Sequence, residues 1–365
     1  MKNRVNIIIG ILVSAFFIYL VFRRVEPAEI FYSLKQINYL WLIPNMAVII
    51  LTMFIRALRW KYLLQPIRIC RAAELFPPVM IGFMANNILP IRLGEVVRAY
   101  SLGATTNESR SSIFATIVIE RIFDGLTLML MFWLVFLYVP VPAGIRKFGV
   151  VSLVINVAAV FGLILLRGKQ NSLLKIFMAP LFFLPLIFKE KIGTIVRKFG
   201  EGLGIFGDYR ALGIISLWSV LLWLIIALSN YFVFMAFGLY PGIEASFILL
   251  LFVAAAVMLP SAPGFVGVFQ AGVIGAFALM NNINIIGYQP TWENVQNLTL
   301  TAPAFILAPI PGFGSFCESM GLFGISKGQA LSFSIILWLS QYLPVTFIGL
   351  YYLKRRHLSL KLKSE

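Results

Sequence analysis

Long apolar runs recur along this chain, and their length determines its fold class. A transmembrane helix needs about 20 predominantly apolar residues, because each residue adds 1.5 Å and the bilayer core is about 30 Å thick. The runs predicted to be full spans are residues 6–22, 39–55, 112–138, 148–166, 212–237 and 331–353. Only 12% of the residues are charged, whereas soluble globular domains carry about 25%. The sequence therefore predicts an all-α polytopic membrane protein.

Three further apolar segments are ambiguous, namely 75–91, 173–188 and 247–280. Segment 173–188 contains Lys175 and two prolines, so an interfacial stretch and a span fit it equally well. The expected number of transmembrane helices is therefore about six to eight. No small-residue cleavage site follows the run at 6–22, which favours a retained anchor over a removed signal peptide.

Positively charged residues predict the orientation. They cluster after the second span, in the stretch 167–210 and in the carboxyl-terminal tail. The first group comprises Arg56, Arg59, Lys61, Arg68 and Arg71. Because cytoplasmic loops carry an excess of Lys and Arg, these groups and both termini are predicted to be cytoplasmic, in the cell membrane. The pair Arg59-Trp60 fits two interpretations equally well: part of this basic group, or an anchor at the membrane–water interface.

The formal net charge of +16 is explained by this topology and by attraction to anionic lipid. The basic residues lie between spans and no nucleic-acid-binding motif surrounds them. Nucleic acid is therefore not an expected partner.

Two polar, helix-breaking stretches interrupt apolar runs at membrane depth. We name residues 86–98 the first break and residues 259–267 the second break. Their backbone-breaking residues are Pro90 and Gly94 in the first, and Pro260, Pro263, Gly264 and Gly267 in the second. Irregular backbone is tolerated at this depth only where protein or a water-filled cavity covers it. Paired breaks are typical of transporter sites built from discontinuous helices.

The charge pattern and the span count together predict how the breaks are arranged. With both termini inside, segments 75–100 and 247–280 must each return to the side from which they came. The twelve residues 247–258 are too few to cross the bilayer. We therefore predict two broken hairpins that enter from opposite faces, as in an inverted pseudo-repeat. If segment 173–188 also spans the membrane, the number of crossings changes by one and this arrangement of the hairpins no longer follows.

The predicted organisation is one integral membrane domain followed by a tail. Its parts are a flippase-like domain at 1–355, with broken hairpins at 75–100 and 247–280 and an extramembrane insertion at about 281–330, and a basic cytoplasmic tail at 356–365.

The first break supplies charge. Arg92 and Arg98 are candidate phosphate contacts, because the guanidinium fork matches phosphate oxygens in two-point contact. Asn86 and Asn87 add donors for the same anion, and Glu95 shares a helix face with Arg98 if helix resumes after Gly94. The alternative is an ordinary interfacial turn with snorkelling arginines.

The span at 112–138 carries three charges on one helix side: Glu120, Arg121 and Asp124. Charges this deep face the bundle interior and have partners. We expect them to line a headgroup route or to relay a proton or cation, with Arg92 or Arg98 as counter-charge. The alternative is a buried ion-pair lock between helices.

The second break offers mainly backbone. Gly264 and Gly267 allow another chain or a ligand to approach closely, and Pro260 and Pro263 free carbonyl groups. Together with Pro90 and Gly94 of the first break, these four residues are predicted to let the two hairpins act as gates. A plain proline kink is the alternative.

Several chemistries are excluded by missing motifs. The sequence has no Walker A loop, so it gives no support for transport driven directly by ATP hydrolysis. Its only histidine, His357, lies in the basic tail, which excludes His-based catalysis and His-ligated metal sites. No catalytic residue, cofactor or metal is expected.

Four motifs occur along the chain in the same order as in a known family. They are Ala57-Leu58-Arg59-Trp60, Asn87 with Leu89-Pro90-x-Arg92-x-Gly94-Glu95-x-x-Arg98, Glu120-Arg121-x-x-Asp124, and Leu259-Pro260-x-x-Pro263-Gly264-x-x-Gly267. The pattern is similar to the lysylphosphatidylglycerol synthase transmembrane region, a flippase-like family, over nearly the whole chain. Two positions depart from it, since Gln270 stands where Glu is frequent and Trp338 where Arg is frequent.

The resemblance implies lipid translocation without lysine transfer, because the soluble aminoacyltransferase domain of some members has no counterpart in this sequence. We expect a flippase or scramblase for an anionic, aminoacylated or otherwise lipid-linked headgroup, more a transporter than an enzyme. Membrane phospholipid is the expected partner, and a separate lipid-modifying enzyme is a further candidate. Two alternatives stay open: a membrane-embedded aminoacyl- or glycosyltransferase, and a small-solute secondary transporter.

Overall fold

The computed structural model describes residues 15–19, 25–89, 92–137, 143–168, 194, 198–259, 261–282 and 327–356. These residues form helices joined by turns and short connections, and no β-strand occurs among them. The all-α class predicted from the apolar runs is confirmed. Segment 173–188, Pro90, Pro260, most of the predicted span at 6–22 and most of the insertion at 281–330 lie outside the described residues.

The described helices are numbered in chain order. The first five are α1 (Pro27–Lys35), α2 (Leu42–Leu63), α3 (Ala72–Ile88), α4 (Gly94–Thr106) and α5 (Arg110–Phe136). The next five are α6 (Ala143–Gly168), α7 (Tyr209–Ala236), α8 (Ile243–Val257), α9 (Val268–Asn282) and α10 (Lys327–Arg355). Short 3₁₀ turns lie at Tyr39–Trp41, Leu203–Gly207 and Pro263–Phe265.

Five described segments are long and apolar enough to cross a bilayer. They are Tyr39–Leu63, Gly144–Gly162, Tyr209–Ala236, Pro263–Met280 and Gly328–Arg355. Four of them confirm the spans predicted at 39–55, 148–166, 212–237 and 331–353. The span predicted at 112–138 is the 27-residue α5, about 40 Å long at 1.5 Å per residue. It is not among the five apolar segments because it contains charged residues near its middle. The protein is therefore a multi-pass membrane protein.

Each break joins two helices that fold back on one another. In the first hairpin, a Cβ on Gly82 of α3 would lie 2.7 Å from the Arg98 Cβ of α4. In the second, a Cβ on Gly272 of α9 would lie 2.8 Å from the Ala256 Cβ of α8. Glycine is required at both contacts, since a side chain would separate the helices. The two broken hairpins are confirmed, and the faces from which they enter stay a prediction.

Two apolar cores hold the helices together. The first surrounds the α3–α4 hairpin and includes Trp60, Leu75 and Ile113. The second surrounds the α8–α9 hairpin and includes Leu249 and Phe277. Helices α7 and α10 contribute to both cores. Helix α10 packs on α3 of the first hairpin and on α9 of the second, whereas α7 packs mainly on α2 and, in the second hairpin, on α8. Helix α10, together with the direct contact between the 3₁₀ turn Pro263–Phe265 and α3, therefore places the two breaks side by side.

Candidate functional site

A cluster of charged side chains lies between α2, α4 and α5. We name it the charge cluster, and its members are Arg56, Arg59, Glu95, Arg98, Glu120, Arg121 and Asp124. Four arginines face three carboxylates, so the cluster carries one excess positive charge. Ionisable groups inside a helical membrane bundle are costly unless they are paired, and they mark functional sites by default.

Arg59 of α2 is the centre of the charge cluster. Its Nη1 donates to Asp124 Oδ1 at 2.6 Å and to the Ser219 hydroxyl at 2.8 Å. Its Nη2 lies 3.0 Å from Glu120 Oε1. The Arg59 and Glu120 side chains are fully buried. Arg59 therefore ties α2 to two carboxylates that stand one turn apart on α5.

Arg98 of α4 completes the coordination of Glu120. Its Nη2 lies 2.9 Å from Glu120 Oε2, and its Nη1 donates to Glu120 Oε1 at 3.1 Å. The guanidinium stacks on the Trp60 ring at 3.8 Å, a cation–π contact. The prediction that Arg98 supplies a counter-charge for α5 is confirmed. This geometry corresponds to the ion-pair alternative for Arg98 and Glu120, since neither side chain reaches the surface.

The positions of Arg56 and Arg59 correct the predicted orientation argument, which placed both in a cytoplasmic loop. Helix α2 continues to Leu63, and both arginines are buried in it. The interface-anchor interpretation of Arg59-Trp60 is also wrong, because both side chains have no exposed surface. The sequence contained a signal for this pairing. Arg56 and Arg59 are three residues apart and Glu120 and Asp124 are four apart, so each pair lies on one helix face and the two faces can pair.

The α3–α4 contact explains why helix resumes directly after the first break. The backbone of Gly94 approaches Gly82 so closely that a side chain would clash with the Gly82 carbonyl oxygen. The Gly94 N–H donates to Asn86 Oδ1 at 2.8 Å. Asn86 therefore satisfies a free donor at the start of α4. This contact turns Glu95 and Arg98 toward α5, as the helical spacing predicted.

One side of the charge cluster is open. The Arg121 side chain is 35% exposed and the Glu95 side chain is 19% exposed, and they approach to 3.6 Å. On its inner side, Arg121 Nη1 lies 3.2 Å from Asp124 Oδ2. Arg121 and Glu95 therefore form the accessible edge of an otherwise buried ion network.

Arg92 connects the two breaks. Its backbone is left-handed, with φ of 51°, and its Nη2 donates to the Val257 carbonyl at the end of α8. Its guanidinium lies 5.2 Å from the centre of the Phe265 ring. A charged side chain of the first break thus contacts the end of α8 and a ring within the second break.

Helix α10 lies against both breaks. Trp338 Nε1 donates to the Gly264 carbonyl at 2.8 Å, and Asn87 Nδ2 donates to the Thr346 hydroxyl at 2.8 Å. A Cβ on Gly264 would lie 3.4 Å from the Asn87 carbonyl oxygen. With φ of 75°, Gly264 adopts a conformation that favours glycine. Glycine is therefore required here by its backbone conformation, since a Cβ at 3.4 Å would make only an ordinary van der Waals contact.

The remaining residues of the second break shape its backbone. Pro263 starts the 3₁₀ turn Pro263–Phe265, and Gly267 has φ of 89°. The Gly267 N–H donates to Gln270 Oε1 at 2.7 Å. The two departures from the family pattern, Gln270 and Trp338, thus both bind backbone of the second break. Backbone hydrogen bonds occupy the positions where a charge pair is frequent.

The sequence comparisons give similar proteins of archaeal origin. A UPF0104 membrane protein of Methanothermobacter thermautotrophicus is 28% identical, over 66% of this chain and 74% of that protein. A second, of Methanocaldococcus jannaschii, is 26% identical over 56% of this chain and 87% of that protein. Glycosyltransferase AglD of Haloferax volcanii is 21% identical over 73% of this chain, which spans 48% of the AglD sequence. No solved structure matches.

A family model also matches. The model of the lysylphosphatidylglycerol synthase transmembrane region aligns with residues 7–284. This range includes both breaks and every member of the charge cluster. Since the match covers well over half of the sequence, the chain belongs to the lysylphosphatidylglycerol synthase transmembrane-region family.

Proposed function

We propose that this protein moves a lipid-linked anionic headgroup between the leaflets of the cell membrane. One observation carries the proposal: a buried ion network with one excess positive charge opens through Arg121 and Glu95, among helices that otherwise bury apolar side chains. Charged groups in membrane helices mark substrate pathways. A lipid headgroup can bind to such a network while the acyl chains of the same lipid stay in the bilayer.

The two breaks supply the moving part in this proposal. Discontinuous helices form the sites of many secondary transporters, because unwound backbone lines a cavity and can change its contacts. Here Arg92 binds the Val257 carbonyl at the end of α8, and Trp338 of α10 binds the Gly264 carbonyl of the second break. Breaking these few contacts would separate the hairpins without unfolding either core. Both termini are proposed to be cytoplasmic, in accordance with the basic loops.

The names of similar proteins support a lipid substrate. The family name refers to a lysylphosphatidylglycerol synthase, whose product is a phospholipid with an aminoacyl headgroup. The carboxylates Glu95, Glu120 and Asp124 would favour a cationic substituent on such a headgroup, while the arginines favour its phosphate. An aminoacylated or otherwise lipid-linked phosphate is therefore the proposed substrate class.

Leaflet exchange in proteoliposomes tests the proposal. We predict that purified protein accelerates the exchange of a fluorescent phosphatidylglycerol, and that Arg92→Glu reduces this exchange at least tenfold. The substitution replaces a guanidinium that would attract the headgroup phosphate with a carboxylate that would repel it. Arg146→Glu is the matched control, because Arg146 lies exposed on α6. Equal exchange in wild-type and Arg92→Glu protein would contradict the proposal.

A membrane-embedded glycosyltransferase is a second candidate, favoured by the similarity to AglD. Both candidates act on lipid-linked phosphate, and they differ in their products. Mass analysis of lipids from cells with and without the gene separates them. A new lipid species would support the transferase, whereas an altered leaflet distribution alone would support translocation.

A further inference from the structure

Arg56 lies farther from the carboxylates of the charge cluster than the other three arginines of the cluster do, and it makes no hydrogen bond within the described part of the chain. Its Nη1 lies 3.7 Å from Asp124 Oδ2 and 4.0 Å from Glu120 Oε1, and both distances exceed hydrogen-bonding range. Its Nε and Nη1 are buried without a partner. Arg59 and Arg98, by contrast, lie within 3.1 Å of carboxylate oxygens.

Aromatic rings hold the Arg56 guanidinium in place. It lies 4.7 Å from the centre of the Phe83 ring and 6.0 Å from that of the Trp223 ring. Trp223 is itself fixed, since its Nε1 donates to Asp124 Oδ1 at 3.3 Å. Stacking on aromatic faces orients a guanidinium without using its N–H donors. The donors of Arg56 are therefore left available.

Arg121 lies beside Arg56. Its guanidinium is 5.8 Å from the same Phe83 ring, and its Nη1 is 3.2 Å from the same Asp124 Oδ2. Arg121 Nε is likewise buried without a hydrogen bond, as are the Nε atoms of the cluster's other arginines. Two guanidiniums thus share one ring and one carboxylate oxygen, and the mutual repulsion of the two positive charges is only partly offset.

The charges of the cluster leave this pair undercompensated. Glu120 is already bound by Arg59 and Arg98, and Asp124 is already bound by Arg59. The third carboxylate, Glu95, lies 3.6 Å from Arg121, so four guanidiniums share three carboxylates and the charge of Arg56 is not fully offset. A buried charge is costly unless it is paired and hydrogen-bonded. An oxyanion between Arg56 and Arg121 would supply both a counter-charge and acceptors for the free donors.

We infer that Arg56 and Arg121 form a binding site for one phosphate-ester oxyanion, with Arg59 and Arg98 serving to hold the helices in position. The inference rests on the proposed function, because it names the residues that contact the headgroup phosphate. Access is through Arg121, whose side chain is 35% exposed. A lipid phosphate and free phosphate share this chemistry, so both are included in the test.

The test is equilibrium binding by the full-length protein, purified in dodecyl maltoside to exclude other phosphates. The probes are dihexanoyl phosphatidylglycerol and inorganic phosphate, added separately. Arg56→Met and Arg121→Met should each weaken binding at least about tenfold, the factor expected from losing a hydrogen bond to a charged group. Arg68→Met is the control, because Arg68 lies in a surface ion pair with Glu108 at 3.9 Å.

Thermal unfolding without ligand separates a binding role from a structural one. Arg56→Met should leave the apparent Tm unchanged or raise it, because an undercompensated buried cation is removed. Arg59→Met should lower the Tm, because two carboxylates lose their partner. Unchanged binding in Arg56→Met would overturn the inference. A drop in Tm as large as that of Arg59→Met would also overturn it.

The outcomes distinguish the inference from the proposed function. If inorganic phosphate alone binds in an Arg56-dependent manner, the site stands and lipid translocation fails. If lipid exchanges between leaflets but binding does not depend on Arg56 or Arg121, translocation stands and the site assignment fails. Arg56-dependent binding of dihexanoyl phosphatidylglycerol supports both.

Discussion

At the scale of single residues, Glu120 is the side chain on which the charge cluster depends. It is fully buried, and both of its oxygens lie within 3.1 Å of an arginine nitrogen of α2 or α4. Three helices therefore meet at one carboxylate. Buried ion pairs add little stability relative to apolar packing, but breaking one leaves an uncompensated charge.

We predict that Glu120→Gln lowers the free energy of unfolding by about 3–5 kcal/mol, because Arg59 and Arg98 lose their shared counter-charge. Equilibrium unfolding in mixed micelles measures this change. Glu108→Gln is the control, since Glu108 pairs with Arg68 at the surface and such pairs contribute about 0–1 kcal/mol. Equal effects of the two substitutions would show that Glu120 does not hold the helices together.

At the scale of helices, the close contact between α3 and α4 sets the geometry of the first break. Gly82 and Gly94 allow the two backbones to touch, and Asn86 caps the start of α4. The contact places Arg98 beside the α5 carboxylate. A larger residue at either glycine would push α4 away from α3 and lengthen the Arg98–Glu120 distance.

We predict that Gly94→Ala destabilises the protein by about 1–3 kcal/mol, the usual cost of overpacking a tight contact. The same substitution at Gly213 is the control, because a Cβ there would meet nothing within 4 Å. Gly213→Ala should stabilise α7 by up to about 1 kcal/mol through helix propensity. Unfolding in mixed micelles measures both, and an unaffected Gly94→Ala variant would contradict the contact.

Sequence patterns predicted the helices and the breaks better than the helix ends. The apolar runs placed α5, α7 and α10 within a few residues of their bounds. They failed at the end of α2, because charge counting assigned Arg56 and Arg59 to a loop. Positive residues report orientation only where they face water, and these two face carboxylates on a helix that comes later in the chain. That pairing depends on tertiary contacts and not on local pattern.

At the scale of the whole molecule, the two breaks lie against each other, and α10 packs against both of them. Their separation in the sequence exceeds 160 residues, so no local rule could have placed Arg92 on Val257 or Asn87 on Thr346. Helix α10, which packs on both hairpins, and the 3₁₀ turn Pro263–Phe265, which packs on α3, explain this meeting. We propose that at this junction the first hairpin separates from α10 and from the second hairpin when a headgroup crosses.

A reversible cross-link across the junction tests this claim most directly. Asn87→Cys and Thr346→Cys would be introduced together, with both native cysteines replaced by serine, because the two side chains are hydrogen-bonded at 2.8 Å. A short bifunctional methanethiosulfonate reagent would then join them in proteoliposomes. We predict that joining abolishes exchange of fluorescent phosphatidylglycerol and that dithiothreitol restores it, whereas full exchange in completely cross-linked protein would contradict the account.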